Sequence, residues 1–207
     1  MRKVWAFLLV LLLSLGSLEG TLHAQEDQPG GIESEWDIYA PEFYSRGDQT
    51  FIISMGLIFP TVFFSQGNII EHNFSPPLGG TGSLAYNYYL DSNISIGGEI
   101  GGMFNYTVAE STLFIIPIGF RVGYQFIFHR FEIPLTVTAG FAPQRYLDLG
   151  YLGFFAKAGA SLYYRFNPDW SFGVNANWGW FPQWTKDPEN DVDGNIADVT
   201  IAVRYHF

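Results

Sequence analysis

The stretch Asp198-Val199-Thr200-Ile201-Ala202-Val203-Arg204-Tyr205-His206-Phe207 decides the fold. Its odd positions, Val199, Ile201, Val203, Tyr205 and Phe207, are all apolar or aromatic. Its even positions carry every charge of the stretch: Asp198, Arg204 and His206, with Thr200 and Ala202 between them. Successive residues of a strand face opposite sides, so this alternation describes a strand standing between an apolar medium and a polar one.

The same two-residue period recurs upstream. It predicts strands over Phe51–Phe59, Ser83–Leu90, Ile94–Asn105, Phe114–Phe126, Glu132–Phe141, Leu152–Arg165 and Trp170–Trp180, eight with the closing one. In each, one row is almost wholly apolar, as in Phe120, Val122, Tyr124 and Phe126, and the opposite row holds Gly, Ser, Asn and the charges. Pro117 and Pro134 interrupt two of these rows and are expected to mark bulges, since neither can donate to a ladder.

Composition says which media these are. The chain has 207 residues, 18 % aromatic and only 14 % charged, and no cysteine, which excludes disulfides, thiolate metal sites and lipidation at cysteine. Past the N-terminus no run is apolar enough for a membrane helix. A chain of this kind lives in lipid by closing a sheet on itself, so that every backbone group is paired. A soluble barrel has its apolar side inward. Here the charged row is the one an eight-stranded lumen encloses, and Tyr86, Tyr88, Tyr124, Tyr164, Trp170, Trp178, Trp180 and Tyr205 on the apolar row form the girdles expected at a lipid boundary. The fold class is therefore all-β, an eight-stranded antiparallel up-and-down transmembrane β-barrel spanning residues 50–207.

The connections alternate as such a barrel requires. Asp91-Ser92-Asn93, 127–130 and Asn167-Pro168-Asp169 are short. Pro60 to Gly82, Tyr106 to Thr112, Pro143 to Gly150 and Pro182 to Asn195 are longer. Short turns on one side and long loops on the other fit periplasmic and extracellular ends. The first loop contains Phe63, Phe64, Ile69, Ile70 and Phe74, and so is expected to extend the sheet or fold over the mouth.

Upstream, Arg2 and Lys3 precede an apolar run from Val4 to Leu15, the pattern of a signal peptide over residues 1–24. Removing it takes away two cations and Glu19, and moves the net charge from −10 to −11. So acidic a chain is not a nucleic-acid binder. Residues 25–49, with Pro29-Gly30-Gly31, Glu33, Glu35, Asp37 and Glu42, read as an acidic flexible segment whose aromatics, Tyr44 among them, dock weakly on the barrel.

The closing strand, with Phe207, Tyr205, Val203, Ile201 and Val199 in alternate places, resembles the C-terminal assembly signal of Gram-negative outer-membrane proteins. By strand count the chain is similar to the small eight-stranded group that includes OmpX, OmpW and the OmpA transmembrane domain. The resemblance implies an outer-membrane location in a diderm bacterium. It also implies insertion by the barrel assembly machinery into outer-membrane lipid, as a monomer. With the acidic loop leading directly into the closing strand, no peptidoglycan-binding domain of the OmpA kind is expected.

The candidate site is the set of inward charges Glu99, Arg121, Glu132, Lys157, Arg165, Asp198, Arg204 and His206. Eight strands leave a lumen just wide enough for side chains, and charges there must pair. They read first as a network filling the lumen, and alternatively as a narrow polar pathway for small solutes, as in a porin or an OmpW-like carrier. Glu99 and Lys157 fall near mid-height, and Glu132, Arg165, Arg204 and His206 nearer the periplasm. The acids of the last loop, Asp187, Glu189, Asp191 and Asp193, are spaced somewhat as in a calcium loop but lack the twelfth-position Glu, and read as a solvated hairpin.

Chemistry on lipid A is the remote reading. His72, His129 and His206 lack the Ser two places on that marks the lipid A deacylases. Asp91-Ser92 resembles the Asp-Ser of the palmitoyl transferases but sits in a predicted turn. The expected function is therefore non-enzymatic, without a cofactor or metal: a structural or surface-interaction role, with an extracellular partner met through the loops.

Overall fold

A computed structural model describes residues 44–65, 67–70, 78–106, 112–146, 149–184 and 191–207. By contacts the chain divides into two units, Met1–Tyr39, outside the described residues, and Ala40–Phe207. The expected signal peptide and residues 25–43 of the acidic segment thus fall on undescribed residues.

The second unit is all β. Its strands are β1 (Gln49–Ser65), β2 (Asn68–Ile70), β3 (Gly79–Tyr89), β4 (Ile94–Tyr106), β5 (Thr112–Ile115), β6 (Ile118–Phe128), β7 (Phe131–Tyr146), β8 (Leu149–Arg165), β9 (Trp170–Gln183) and β10 (Val192–His206). Neighbours pair antiparallel around a ring, and β10 returns to β1 from Thr50↔His206 to Phe64↔Asp193. Gln49 and Phe207 exchange backbone hydrogen bonds at 3.0 and 3.1 Å, which closes the seam to its last residue. The ring has eight staves, because β5 and β6 are two parts of one stave and β2 is a short addition to the end of β1.

The two prolines act differently from the bulges expected of them. Pro117 separates β5 from β6, yet the pairing continues in one register on both flanks: Met103↔Ile115 and Ile100↔Ile118 on β4, Ile115↔Gln144 and Ile118↔Phe141 on β7. The Pro117 carbonyl still accepts from the Gly101 N–H at 2.8 Å. Pro134 pairs with Gln125, and the β7–β8 ladder merely skips from Glu132↔Tyr163 to Leu135↔Ala160. A missing N–H removes a rung without adding a residue. The register shift lies elsewhere, between Pro60 and Phe63, where Asn195 Nδ2 donates to the Val62 carbonyl at 3.1 Å and Thr61 Oγ1 donates to the Asn195 carbonyl at 2.9 Å.

The loops are shorter than their sequence suggested. β1 runs to Ser65, β3 starts at Gly79, β7 and β8 come within two residues of each other, and β9 runs to Gln183 before β10 starts at Val192. β1 and β8 have 17 residues each, against the roughly nine to eleven that cross a bilayer.

The two faces are those the alternation assigned. Met55, Leu57, Phe120, Val122, Phe141, Leu152 and Ile201 are exposed on the outer wall. So are Val199, Tyr205 and Phe207 of the closing strand, and Val203 is half-buried on the same row. At the turn end Trp170, Tyr205, Phe207 and Tyr86 touch in a chain of ring contacts. At the loop end Phe154, Trp180 and Trp184 do the same.

Candidate functional site: the layered lumen

The lumen is built in layers, and each stave contributes through its inward row. Nearest the turns is a cluster around Glu132 of β7. Its carboxylate pairs with Arg165 of β8 (Nε to Oε1, 2.9 Å) and Arg204 of β10 (Nη1 to Oε2, 2.5 Å), and accepts the Tyr44 hydroxyl at 2.8 Å. The Tyr44 hydroxyl also lies 3.0 Å from His206 Nδ1, while Ser171 Oγ lies 2.7 Å from His206 Nε2. Aromatic faces complete the layer. Tyr44 stacks on Tyr89 with centroids 3.8 Å apart, the Arg165 guanidinium sits 4.8 Å over the Tyr44 ring, and that of Arg204 sits 3.7 Å over Tyr163. Such contacts over π faces stabilise a guanidinium removed from water.

Tyr44 is thus a lumen residue. It precedes the first strand, yet it is buried under the turn-end mouth, where a cavity of about 210 Å³ is bounded by Tyr44, Asp48, Arg165, Asp169, His206 and Phe207. The sequence alone predicts only weak docking for it. Its neighbour in sequence, Asp48, accepts the Ser45 N–H at 2.7 Å and turns the chain into β1.

Mid-lumen, Glu99 of β4 bridges Arg121 of β6 (Nη1 to Oε2, 2.7 Å) and the Lys157 ammonium of β8. Thr138 Oγ1 adds a bond to the same carboxylate at 3.3 Å. Asp198 of β10 accepts from Asn177 Nδ2 at 2.6 Å. Beneath runs a polar chain in which Tyr163 donates to Asn175 Oδ1 and Asn175 Nδ2 donates to Thr200 Oγ1, both at 2.9 Å. A cavity of about 20 Å³ lies among Glu99, Arg121, Lys157, Asp198, Thr200 and Ser83, room for one or two waters.

The eight charged residues singled out in the sequence therefore form two groups: Glu99, Arg121, Lys157 and Asp198 at mid-height, Glu132, Arg165, Arg204 and His206 by the turns. Each carboxylate that bridges does so between two cations. This is how buried charge is tolerated, because removing either sign would strand the other away from water.

Loopward of the charges the lumen turns apolar. Ile58, Met103, Ile115, Ala142, Phe155, Phe181 and Ile196 form one buried cluster. The alternation concealed it, because inward Phe155 and Phe181 stand next to outward Phe154 and Trp180 and read as one apolar run. Above it Gln183 Nε2 donates to Gln144 Oε1 at 2.6 Å.

The other motifs fall into place as structure. Asp91 Oδ1 accepts the N–H groups of Asn93 and Ile94, both at 2.8 Å, and these bonds hold its carboxyl below the usual carboxylate range. It is a turn former. Residues 185–190 of the acidic loop lie outside the described residues, and among the described residues no three His, Asp or Glu side chains gather as metal ligands.

A closed antiparallel ring with an apolar outer wall, aromatic girdles and a charged lumen defines an integral outer-membrane β-barrel of the small eight-stranded group. A family model matches residues 27–205, and the chain belongs to that family. It is similar to an uncharacterized protein of Treponema pallidum, 34 % identical over 131 residues, which are 63 % of this chain and 60 % of that one. A second from the same organism is 30 % identical over 140 residues, 60 % of this chain and 48 % of the relative. The chain thus spans about half to three-fifths of the length of these two relatives. Among solved structures, Neisserial surface protein A superposes with a TM-score of 0.59 at 10 % identity, over 78 % of this chain and 97 % of that one. The outer membrane protein OprG from Pseudomonas aeruginosa gives 0.50 at 9 % identity, over 79 % and 97 %. At such identities the likeness is one of fold.

Proposed function

We propose that this barrel is a sealed, non-enzymatic outer-membrane protein that acts through its loop end, as a surface for an extracellular partner. One observation carries the reading: the lumen is filled along its height by two ion clusters and an apolar layer, while the longest strands, β1 and β8, have 17 residues, more than crossing a bilayer needs. Strands longer than the crossing needs, with a cavity of only about 20 Å³ at mid-lumen, suit display better than transport. Neisserial surface protein A bears a name that fits such a role.

The hydroxyl–imidazole pair Ser171–His206 does not favour catalysis. Ser171 has no exposed surface, so no substrate reaches its oxygen. The outward row Val199, Ile201, Val203, Tyr205 and Phe207 serves as the assembly signal, read by the insertion machinery before the seam with β1 closes. The mature protein works as a monomer without a cofactor.

Planar-bilayer recording of the purified protein tests the sealed reading. The wild type is expected to show no unitary steps. Reproducible steps that change on substitution of Arg121 or Lys157 would replace it with the narrow-pore reading.

A further inference from the structure

The apolar cluster of the lumen is a complete transverse septum. Seven of the eight staves each give it one buried side chain: Ile58 from β1, Met103 from β4, Ile115 from β5, Ala142 from β7, Phe155 from β8, Phe181 from β9 and Ile196 from β10. The eighth stave, β3, contributes Gly79. A Cβ there would stand 2.8 Å from Ile58 Cγ1, so Ile58 fills the space that β3 leaves. Phe155 and Phe181 lie parallel across the middle, with centroids 5.8 Å apart and planes at 11°.

The septum sits at one level relative to the charges. On β8 Phe155 lies two residues loopward of Lys157, and on β10 Ile196 lies two loopward of Asp198. On β4 Met103 lies loopward of Glu99, and on the β5–β6 stave Ile115 lies loopward of Arg121. Met103 also borders the mid-lumen cavity, so the cavity reaches the underside of the septum. A cavity of about 10 Å³ lies beside Ile58, Met103 and Ile115, at the lower limit of what one water needs.

We propose that this septum, and not the ion clusters, is the barrier that seals the barrel. The inference rests on the sealed reading above and names what does the sealing. Below the septum, Arg, Lys, Glu, Asn, Thr and Tyr side chains can exchange a partner for water and let a small ion pass between them. None of the seven septum side chains offers a donor or acceptor, and the buried Asn105 amide lies on the loopward side of Met103; within the septum water and ions find nothing to replace their hydration, and an apolar constriction of this kind excludes them by dewetting. The two charged layers, themselves largely buried, hold the staves in register. The septum decides permeability.

The test records ion flux in planar bilayers and in dye-loaded proteoliposomes, using K⁺ and H⁺ as probes. It compares the wild type with Phe155→Ala and Phe181→Ala, and with the cluster variants Glu99→Gln and Glu132→Gln. Folding of each is checked by heat-modifiable gel mobility. Should an alanine variant fail to fold, Ile58→Ser and Met103→Ser place a hydroxyl at the same level in its stead. Folded septum variants are expected to raise flux about tenfold or more over the wild type, while folded cluster variants stay at the wild-type level. Silent septum variants, or cluster variants that conduct as well as septum variants, would overturn the proposal. Steps in the wild type itself would instead overturn the sealed reading on which it rests.

Discussion

Glu99 and Glu132 occupy equivalent positions at two heights of the lumen, each a buried carboxylate bridging two cations from other staves. They differ in their surroundings. Asp198 borders the same cavity as Glu99 and Lys157, so the middle layer holds a second carboxylate. Arg204, with 2 % of its side chain exposed, is paired with Glu132 among the described residues. Glu132→Gln is therefore expected to destabilise the barrel by about 3–5 kcal/mol, the usual cost of stranding a buried charge. Glu99→Gln is expected to cost less, as Lys157 turns to Asp198. Urea unfolding in lipid vesicles followed by Trp fluorescence gives the order, and an equal or reversed order would contradict this account of the two layers.

Tyr44 ties the residues before the first strand to the lumen floor. Tyr44→Phe keeps the stack on Tyr89 and loses the hydroxyl contacts with Glu132 and His206, a cost of about 1–2 kcal/mol. Tyr44→Ala loses the ring as well, and the cost should rise to about 3–5 kcal/mol. If both variants unfold at the wild-type urea midpoint, Tyr44 is not part of the packed lumen.

Gly79 is held by close approach. An added Cβ would lie 2.1 Å from the Phe104 carbonyl oxygen as well as against Ile58. Gly79→Ala should therefore cost about 1–3 kcal/mol through overpacking. Gly102, where an added Cβ meets nothing within 4 Å, is the matched control on the adjoining strand and should tolerate Ala with little change. A Gly79→Ala barrel as stable as Gly102→Ala would refute the tight fit under the septum.

Asp91 gives a pH dependence. Its carboxyl is held low by the backbone N–H groups of Asn93 and Ile94. A group depressed in the folded state adds stability above its unfolded value, roughly pH 3.9, and loses it as the pH falls through the folded value. The difference in unfolding midpoint between the wild type and Asp91→Asn should therefore be widest near neutrality and shrink below about pH 4. A difference that is constant or grows in acid would exclude this role.

Where the chain stands between lipid and lumen, its alternation was plain in sequence, because two unlike media select opposite residue types at successive positions. Thus Phe120, Val122 and Tyr124 could be separated from Arg121 and Gly123 without a structure. Past the lipid zone both sides of a strand meet protein or water, and the period fades. That is why Pro143–Tyr146 and Pro182–Gln183 read as loop yet continue the sheet, whereas Phe63, Phe64, Ile69 and Ile70 extend it as expected. The septum was hidden for a related reason. Ile58 lies between Leu57 and Phe59, so its inward neighbours on other staves, which make it one of a ring, leave no local mark. Tyr44 was illegible because its partners Glu132 and His206 are 88 and 162 residues away in sequence.

The proposed function requires the loop end to face the exterior and the turn end to face the periplasm. The chain contains no cysteine, so single cysteines can report it directly. Arg145→Cys, at the loop end of β7, and Asp169→Cys, in the β8–β9 turn, are each exposed to a membrane-impermeant maleimide on intact cells. Labelling of the first is expected on intact cells, and of the second only after the outer membrane is permeabilised. Labelling of Asp169→Cys but not Arg145→Cys on intact cells would contradict it.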